Sequence, residues 1–156
     1  MSENELTSTE HSERSLQRNQ EADDRFNAGR SAELLVGARL AELGFDIFYP
    51  FSDRTPVDLV SVWKSHAIRI QIKARWLPRD RGGATIVTSG VTPQNADVLI
   101  AYLHKPEGYY IIPTAELGGA KTLIFYPSGR SQKSPHKYWD EWRDRWDILK
   151  KAPTRT

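Results

Sequence analysis

Four side chains in this sequence are of types that act together on a phosphodiester: Glu33, Asp58, Gln71 and Lys73. Carboxylate and amide oxygens hold a hard divalent cation such as Mg²⁺. A cation held there polarises a scissile phosphate and lowers the pKa of an attacking water. A neighbouring lysine ammonium stabilises the charge that builds in the transition state, or positions and helps deprotonate the nucleophile. Gln71 and Lys73 are two residues apart, so on a strand they share a face at a separation of about 7 Å. An acid followed within about 20 residues by Asp, Glu or Gln, any residue and Lys is common, at roughly one match per chain of this length. The elements that would position the four residues therefore carry the argument.

The stretch Ala67–Arg75 (AIRIQIKAR) alternates with a period of two. Ile68, Ile70 and Ile72 fall on one face, and Arg69, Gln71, Lys73 and Arg75 on the other. That is the pattern of a half-buried β-strand. The charged face has a bland reading as well, because edge strands carry Lys and Arg to resist further pairing. Val57–Trp63 reads as a strand, and Ser65-His66 as the turn that makes the two a hairpin. Asp58 then lies near one end of its strand and can face the same way as Gln71 and Lys73. An acid inside a Val/Leu-flanked strand is disfavoured unless something uses it. Glu33 belongs to a helix expected over Asn27–Leu43, with Asn27 as cap and Gly44 as the left-handed stop. Ala32, Leu35, Val36, Leu40 and Leu43 form its apolar stripe, with Glu33 and Gly37 on a neighbouring line. A helical Glu is also an ordinary surface residue.

The remaining pattern predicts strands at Asp46–Pro50, Thr85–Thr88, Ala96–Leu103, Tyr109–Ile112 and Thr122–Tyr126, with one helical turn from Thr114 to Leu117. A closing helix is expected over Tyr138–Leu149, its Trp139, Trp142, Trp146 and Leu149 on one face as core or subunit contact. This is a mixed α/β class, a central mixed sheet with helices packed on its faces.

The chain of 156 residues fits one domain with a real core. Residues 26–150 are expected to form it, and residues 151–156 a short tail. There is no cysteine, which excludes a disulfide scaffold or a Cys zinc site. The four His show no ligand spacing. No run of 18 apolar residues is present and the N-terminus lacks an apolar signal core, so a cytoplasmic protein without a membrane span is expected. Residues 1–25 hold seven acids and three bases, while the remainder carries a net +6. That polar arm is expected to be disordered or loosely helical. A basic body is compatible with a nucleic-acid partner. Arg75, Arg79 and Arg81 surround Trp76 in one loop, and Arg130 and Lys133 lie in another. Both loops read either as solvated surface or as phosphate-contacting segments. Arg69 shares the face of Gln71 and Lys73 and is a third candidate phosphate contact.

Glu33, the Pro56-Val57-Asp58 step and the Gln71-Ile72-Lys73 triplet together resemble the PD-(D/E)xK nuclease superfamily. Within it they are similar to the group I intron-encoded homing endonuclease branch, which also has Gln in the third motif. GRSAELLVGARLAELGFDIFYP resembles the family's first helix and strand, and ADVLIAYLHKPEGYYIIP its later hairpin, so the likeness spans Phe26 to Pro127. It implies a restriction-endonuclease-like fold and Mg²⁺-dependent cleavage of double-stranded DNA, with Mn²⁺ substituting. It also implies metal binding by Asp58 and Gln71, an accessory acid at Glu33 that completes the metal site, and catalysis by Lys73. The chain departs from the family pattern at Gln71, where an acid is usual, and at Val57, which separates Pro56 from Asp58. One hairpin carries one site, so cutting both strands requires two subunits and predicts a homodimer or homotetramer. A junction resolvase or repair nuclease on the same fold, and a DNA-binding module without catalysis, are the alternative readings.

Overall fold

The structure is a computed structural model and describes residues 3–52, 54–75, 83–129 and 138–151, with the side chains of 3–13, 24 and 25 left aside. It opens on one helix, α1 (Glu3–Glu42). Strands β1 (Asp46–Phe48), β2 (Leu59–Trp63) and β3 (His66–Arg75) follow, then β4 (Ala84–Val87), β5 (Val98–His104), β6 (Glu107–Pro113) and β7 (Thr122–Phe125). Five strands form a mixed sheet in the order β1-β2-β3-β5-β6, while β4 and β7 pair as a separate ribbon. Only β3 and β5 run parallel, with Gln71 beside Leu99 and Lys73 beside Ala101.

β3 sits at the centre of the sheet and has the expected alternation: Ile68, Ile70 and Ile72 are buried. They meet Ala32, Val36 and Leu40 of α1, together with Val98, Ile100 and Tyr102 of β5. The other face of β5 presents Leu99, Ala101 and Leu103 to Ala84 and Ile86 of β4 and to Leu123 and Phe125 of β7. β5 is therefore buried on both faces, which is why it reads as a continuous apolar run. The sheet is covered by a helix on one face and by the β4–β7 ribbon on the other, where a second helix was expected.

α1 ends as the sequence predicts. Gly44 takes a φ of 86°, and Phe45 N–H and Gly44 N–H bond the Leu40 and Ala41 carbonyls, the paired bonds of a Schellman stop. Its start differs from expectation. The helix does not begin at a cap on Asn27 but runs back to Glu3, through a stretch with no Gly or Pro before Gly29. Ala28 is the first buried residue described along it, and residues 16–23 are exposed. Leu35 is 40% exposed and stands outside the expected stripe.

The predicted C-terminal helix is not formed. Two short 3₁₀ segments, Asp140–Trp142 and Trp146–Lys150, replace it. Between them Asp144 adopts a φ of 54°, and Arg143 forms a bridge to Tyr110 of β6. The segment wraps the β6 edge. Trp139 joins the ribbon-side core, whereas Trp146 and Leu149 join the α1-side core. No helix of the described residues is long and apolar enough to cross a membrane.

Candidate active site

The β2–β3 hairpin holds the candidate residues because its ladder opens at a defined place. Leu59 of β2 pairs with Ile70. One residue earlier, Asp58 N–H still donates to the Ile70 carbonyl at 3.0 Å. The next ladder partner on β3 is Ile72 N–H, and the Asp58 side chain takes it: Oδ2 accepts that N–H at 2.6 Å. The carboxylate thus stands in for a missing strand residue. Beyond it β3 continues through Lys73 to Arg75 with no paired strand on that edge among the described residues. A residue's N–H and C=O point to the same side of a strand, so the Ile72 carbonyl faces the same opening.

Gln71 lies directly across from Asp58, and its Nε2 donates to the same Oδ2 at 3.1 Å. Asp58 Oδ1 has no protein hydrogen bond among the described residues. Burial pushes the Asp58 carboxyl above its ordinary value, against the Ile72 N–H, the positive charge of Lys73 and the Gln71 amide, which pull it down. Lys73 is therefore close enough to act on Asp58 electrostatically, and its ammonium has no ion pair among the described residues.

Glu33 reaches the site from α1. It lines, with Asp58, one cleft of about 470 Å³ whose walls include Arg30, Tyr49, Ser52 and Thr55. The Glu33 side chain is 29% exposed and meets Arg30 one turn earlier at 3.4 Å. Gly37, one turn later, admits the Tyr49 hydroxyl against the helix where a Cβ would collide with it. Thr55 closes the far end of the loop: its hydroxyl donates to the Val57 carbonyl at 3.1 Å and accepts Val57 N–H at 3.3 Å. Arg30, Tyr49 and Thr55 were not singled out from the sequence. The only signals were the Arg30/Glu33 helical spacing and a glycine inside a helix.

The donor set fits a hard divalent cation, since every group it offers is an oxygen: Asp58 Oδ1, the Gln71 amide, the Ile72 carbonyl and Glu33. Gln71 in place of an acid lowers the charge, and no cluster of three His, Cys, Asp or Glu suited to a metal occurs among the described residues.

The cations of β3 divide. Arg69 is engaged in the fold: its guanidinium meets Asp97 at 2.8 and 3.2 Å and the Gln94 and Pro93 carbonyls at 2.8 and 3.1 Å. Its backbone N–H also donates to Asp97 Oδ2 at 2.9 Å. Asp97 is a further residue that sequence reading missed, and it locks the parallel β3–β5 entry. Arg75 donates to the Thr85 carbonyl of β4 at 3.2 Å. Arg79, Arg81, Arg130 and Lys133 lie outside the described residues.

A mixed sheet with a half-buried carboxylate at the mouth of a hairpin and a lysine on its long strand belongs to the restriction-endonuclease-like class of fold. The family model described as PD-(D/E)XK endonuclease matches residues 24–145. The chain belongs to that family. Among solved structures it is similar to the bacterial homing endonuclease I-Ssp6803I, at a TM-score of 0.68 and 19% identity, over 79% of this chain and 88% of that one. At that identity the likeness is one of fold. No curated protein matches.

Proposed function

We propose that this nuclease is a Mg²⁺-dependent endonuclease that cuts double-stranded DNA at a preferred sequence, with Mn²⁺ able to replace Mg²⁺. The observation that supports this most is the hairpin opening. There Asp58, fixed by the Ile72 N–H and Gln71, leaves one carboxylate oxygen without a hydrogen bond among the described residues, within electrostatic reach of Lys73. Asp58, the Gln71 amide oxygen and Glu33 would hold the cation. When bound, the cation supplies a polarised phosphate and a water of lowered pKa. Lys73 stabilises the charge that develops on the phosphate oxygens. Arg30 at the cleft wall and Arg75, with the loop cations Arg79, Arg81, Arg130 and Lys133, supply phosphate contacts. Arg69 already holds Asp97, and its role is to fix the strand that carries Gln71 and Lys73. Since each chain has one such hairpin, breaking both strands calls for a homodimer or homotetramer.

The test is supercoiled plasmid incubated with the protein in Mg²⁺ and, in parallel, in EDTA. Nicking and linearisation are expected in Mg²⁺ alone; cleavage that persists in EDTA would refute metal dependence. Cleavage selection on a randomised duplex library then reads out site preference. The neutral Gln71 favours one second reading, a DNA-binding module without catalysis. A protein that retards plasmid but never nicks it would establish that reading.

A further inference from the structure

The β1–β2 loop carries a side chain that the cleavage chemistry does not use. Phe51 is fully exposed, at 108% of its reference area, although Phe is among the residues most often buried. The loop around it is held at both ends. On one side the Tyr49 hydroxyl rests against Gly37 of α1, and Pro50 restricts the next backbone angle. On the other, Asp58 N–H donates to the Ile70 carbonyl and the Asp58 carboxylate accepts the Ile72 N–H, both on β3. Tyr49, Pro50, Ser52 and Thr55 line the same cleft as Asp58. Phe51 therefore stands on an anchored rim of the site, and Arg54, also exposed, follows it on the same loop.

We infer that Phe51 is a wedge that enters a base step of the bound DNA beside the scissile phosphate, with Arg54 on the adjoining backbone. The inference rests on the nuclease reading. Proteins that bend DNA insert Phe or Leu between base pairs, unstacking the step and unwinding the duplex. With both ends of the loop fixed, less backbone freedom is lost when the ring stacks. A base face is the apolar surface that a DNA-cutting cleft brings to such a ring. The competing occupant is a second copy of this chain, because Phe48, 59% exposed, lies on the edge strand next to the same loop.

Base-step insertion unwinds DNA, so the test is a linking-number assay. Closed circular plasmid is relaxed by a topoisomerase in the presence of full-length Asp58→Ala protein, which is expected to bind without cutting. Bound protein is expected to shift the topoisomer distribution. Adding Phe51→Ala should abolish the shift and weaken plasmid binding by roughly tenfold to a hundredfold, while Phe51→Trp preserves both. A retarded plasmid without a shift, or a shift that survives Phe51→Ala, overturns the wedge. So does a Phe51→Ala variant that dissociates in sedimentation while keeping the shift, which would assign the ring to a subunit contact. Failure of the nuclease reading looks different, since the wild type would then fail to nick plasmid in Mg²⁺, whatever the topoisomer distribution shows.

Discussion

Replacing Asp97 by alanine removes the acceptor of three hydrogen bonds from Arg69: the backbone N–H at 2.9 Å, Nε at 3.2 Å and Nη2 at 2.8 Å. The Asp97 side chain is 6% exposed and that of Arg69 is 34% exposed. Loss of one partner from a buried pair costs about 3–5 kcal/mol. Water reaches the guanidinium here and screens part of it, and the Gln94 and Pro93 carbonyls remain as partners. A loss of about 2–4 kcal/mol is therefore expected. For a chain of 156 residues that lowers Tm by about 4–16 °C. The assay is thermal and urea unfolding of the wild type, Asp97→Ala, Arg69→Ala and the double variant. The two single losses should overlap, so that the double variant costs clearly less than their sum. Additive losses, or an Asp97→Ala cost below about 0.5 kcal/mol, would refute the clasp. So would an Arg69→Ala variant that is fully stable and lowers the salt slope of DNA binding by about one, the signature of a phosphate contact.

Asp58→Asn should stabilise the metal-free protein at neutral pH. Burial holds the Asp58 carboxyl above its ordinary 3.8, so its contribution to stability is full below the unfolded value and is lost as pH rises through the folded one. The gain from Asn should therefore fade in acid; urea midpoints from pH 3 to pH 8 would show it, and a gain that grows in acid would contradict it. Lys73→Met should lower the cleavage rate by about 10²–10⁴-fold with a stability change below about 1 kcal/mol, because the ammonium has no ion pair among the described residues; unimpaired plasmid nicking would exclude the role. Gly37→Ala should separate stability from activity. The helix gains up to about 1 kcal/mol, while the new Cβ displaces the Tyr49 hydroxyl from the cleft wall. Unchanged or higher Tm with slower cleavage is expected, and a lower Tm with full activity would be the opposite result.

Much of this arrangement is legible in the sequence because it is local. The alternation of Ile68, Ile70 and Ile72 specifies the long strand of a hairpin, although its turn falls at Lys64-Ser65 rather than Ser65-His66, with Lys64 at a φ of 54° and His66 already paired to Trp63; one step beyond the Leu59–Ile70 pair, Asp58 meets the Gln71 amide. Gly44 marks the end of α1 for a backbone reason, its positive φ. What escaped depends on distant partners. Arg69 reads as a free cation because Asp97 lies 28 residues on, on the neighbouring strand's approach. Trp139, Trp142, Trp146 and Leu149 have helical spacing, but spacing cannot separate one helix face from a chain that wraps a sheet edge. Here the aromatics anchor on opposite sides of the sheet. The early start of α1 was hidden because those residues have no apolar stripe; a run of residues free of Gly and Pro needs none to stay helical beside a packed helix.

The central claim is that the Asp58 carboxylate, held by Ile72 and Gln71 at the hairpin opening, is what the cleavage reaction depends on. The most direct measurement is the initial rate of plasmid nicking in Mg²⁺ by the wild type and by Asp58→Asn, which keeps the shape and an acceptor for the Ile72 N–H. The account predicts a loss of at least about 10³-fold with the fold intact. Equal rates would contradict it.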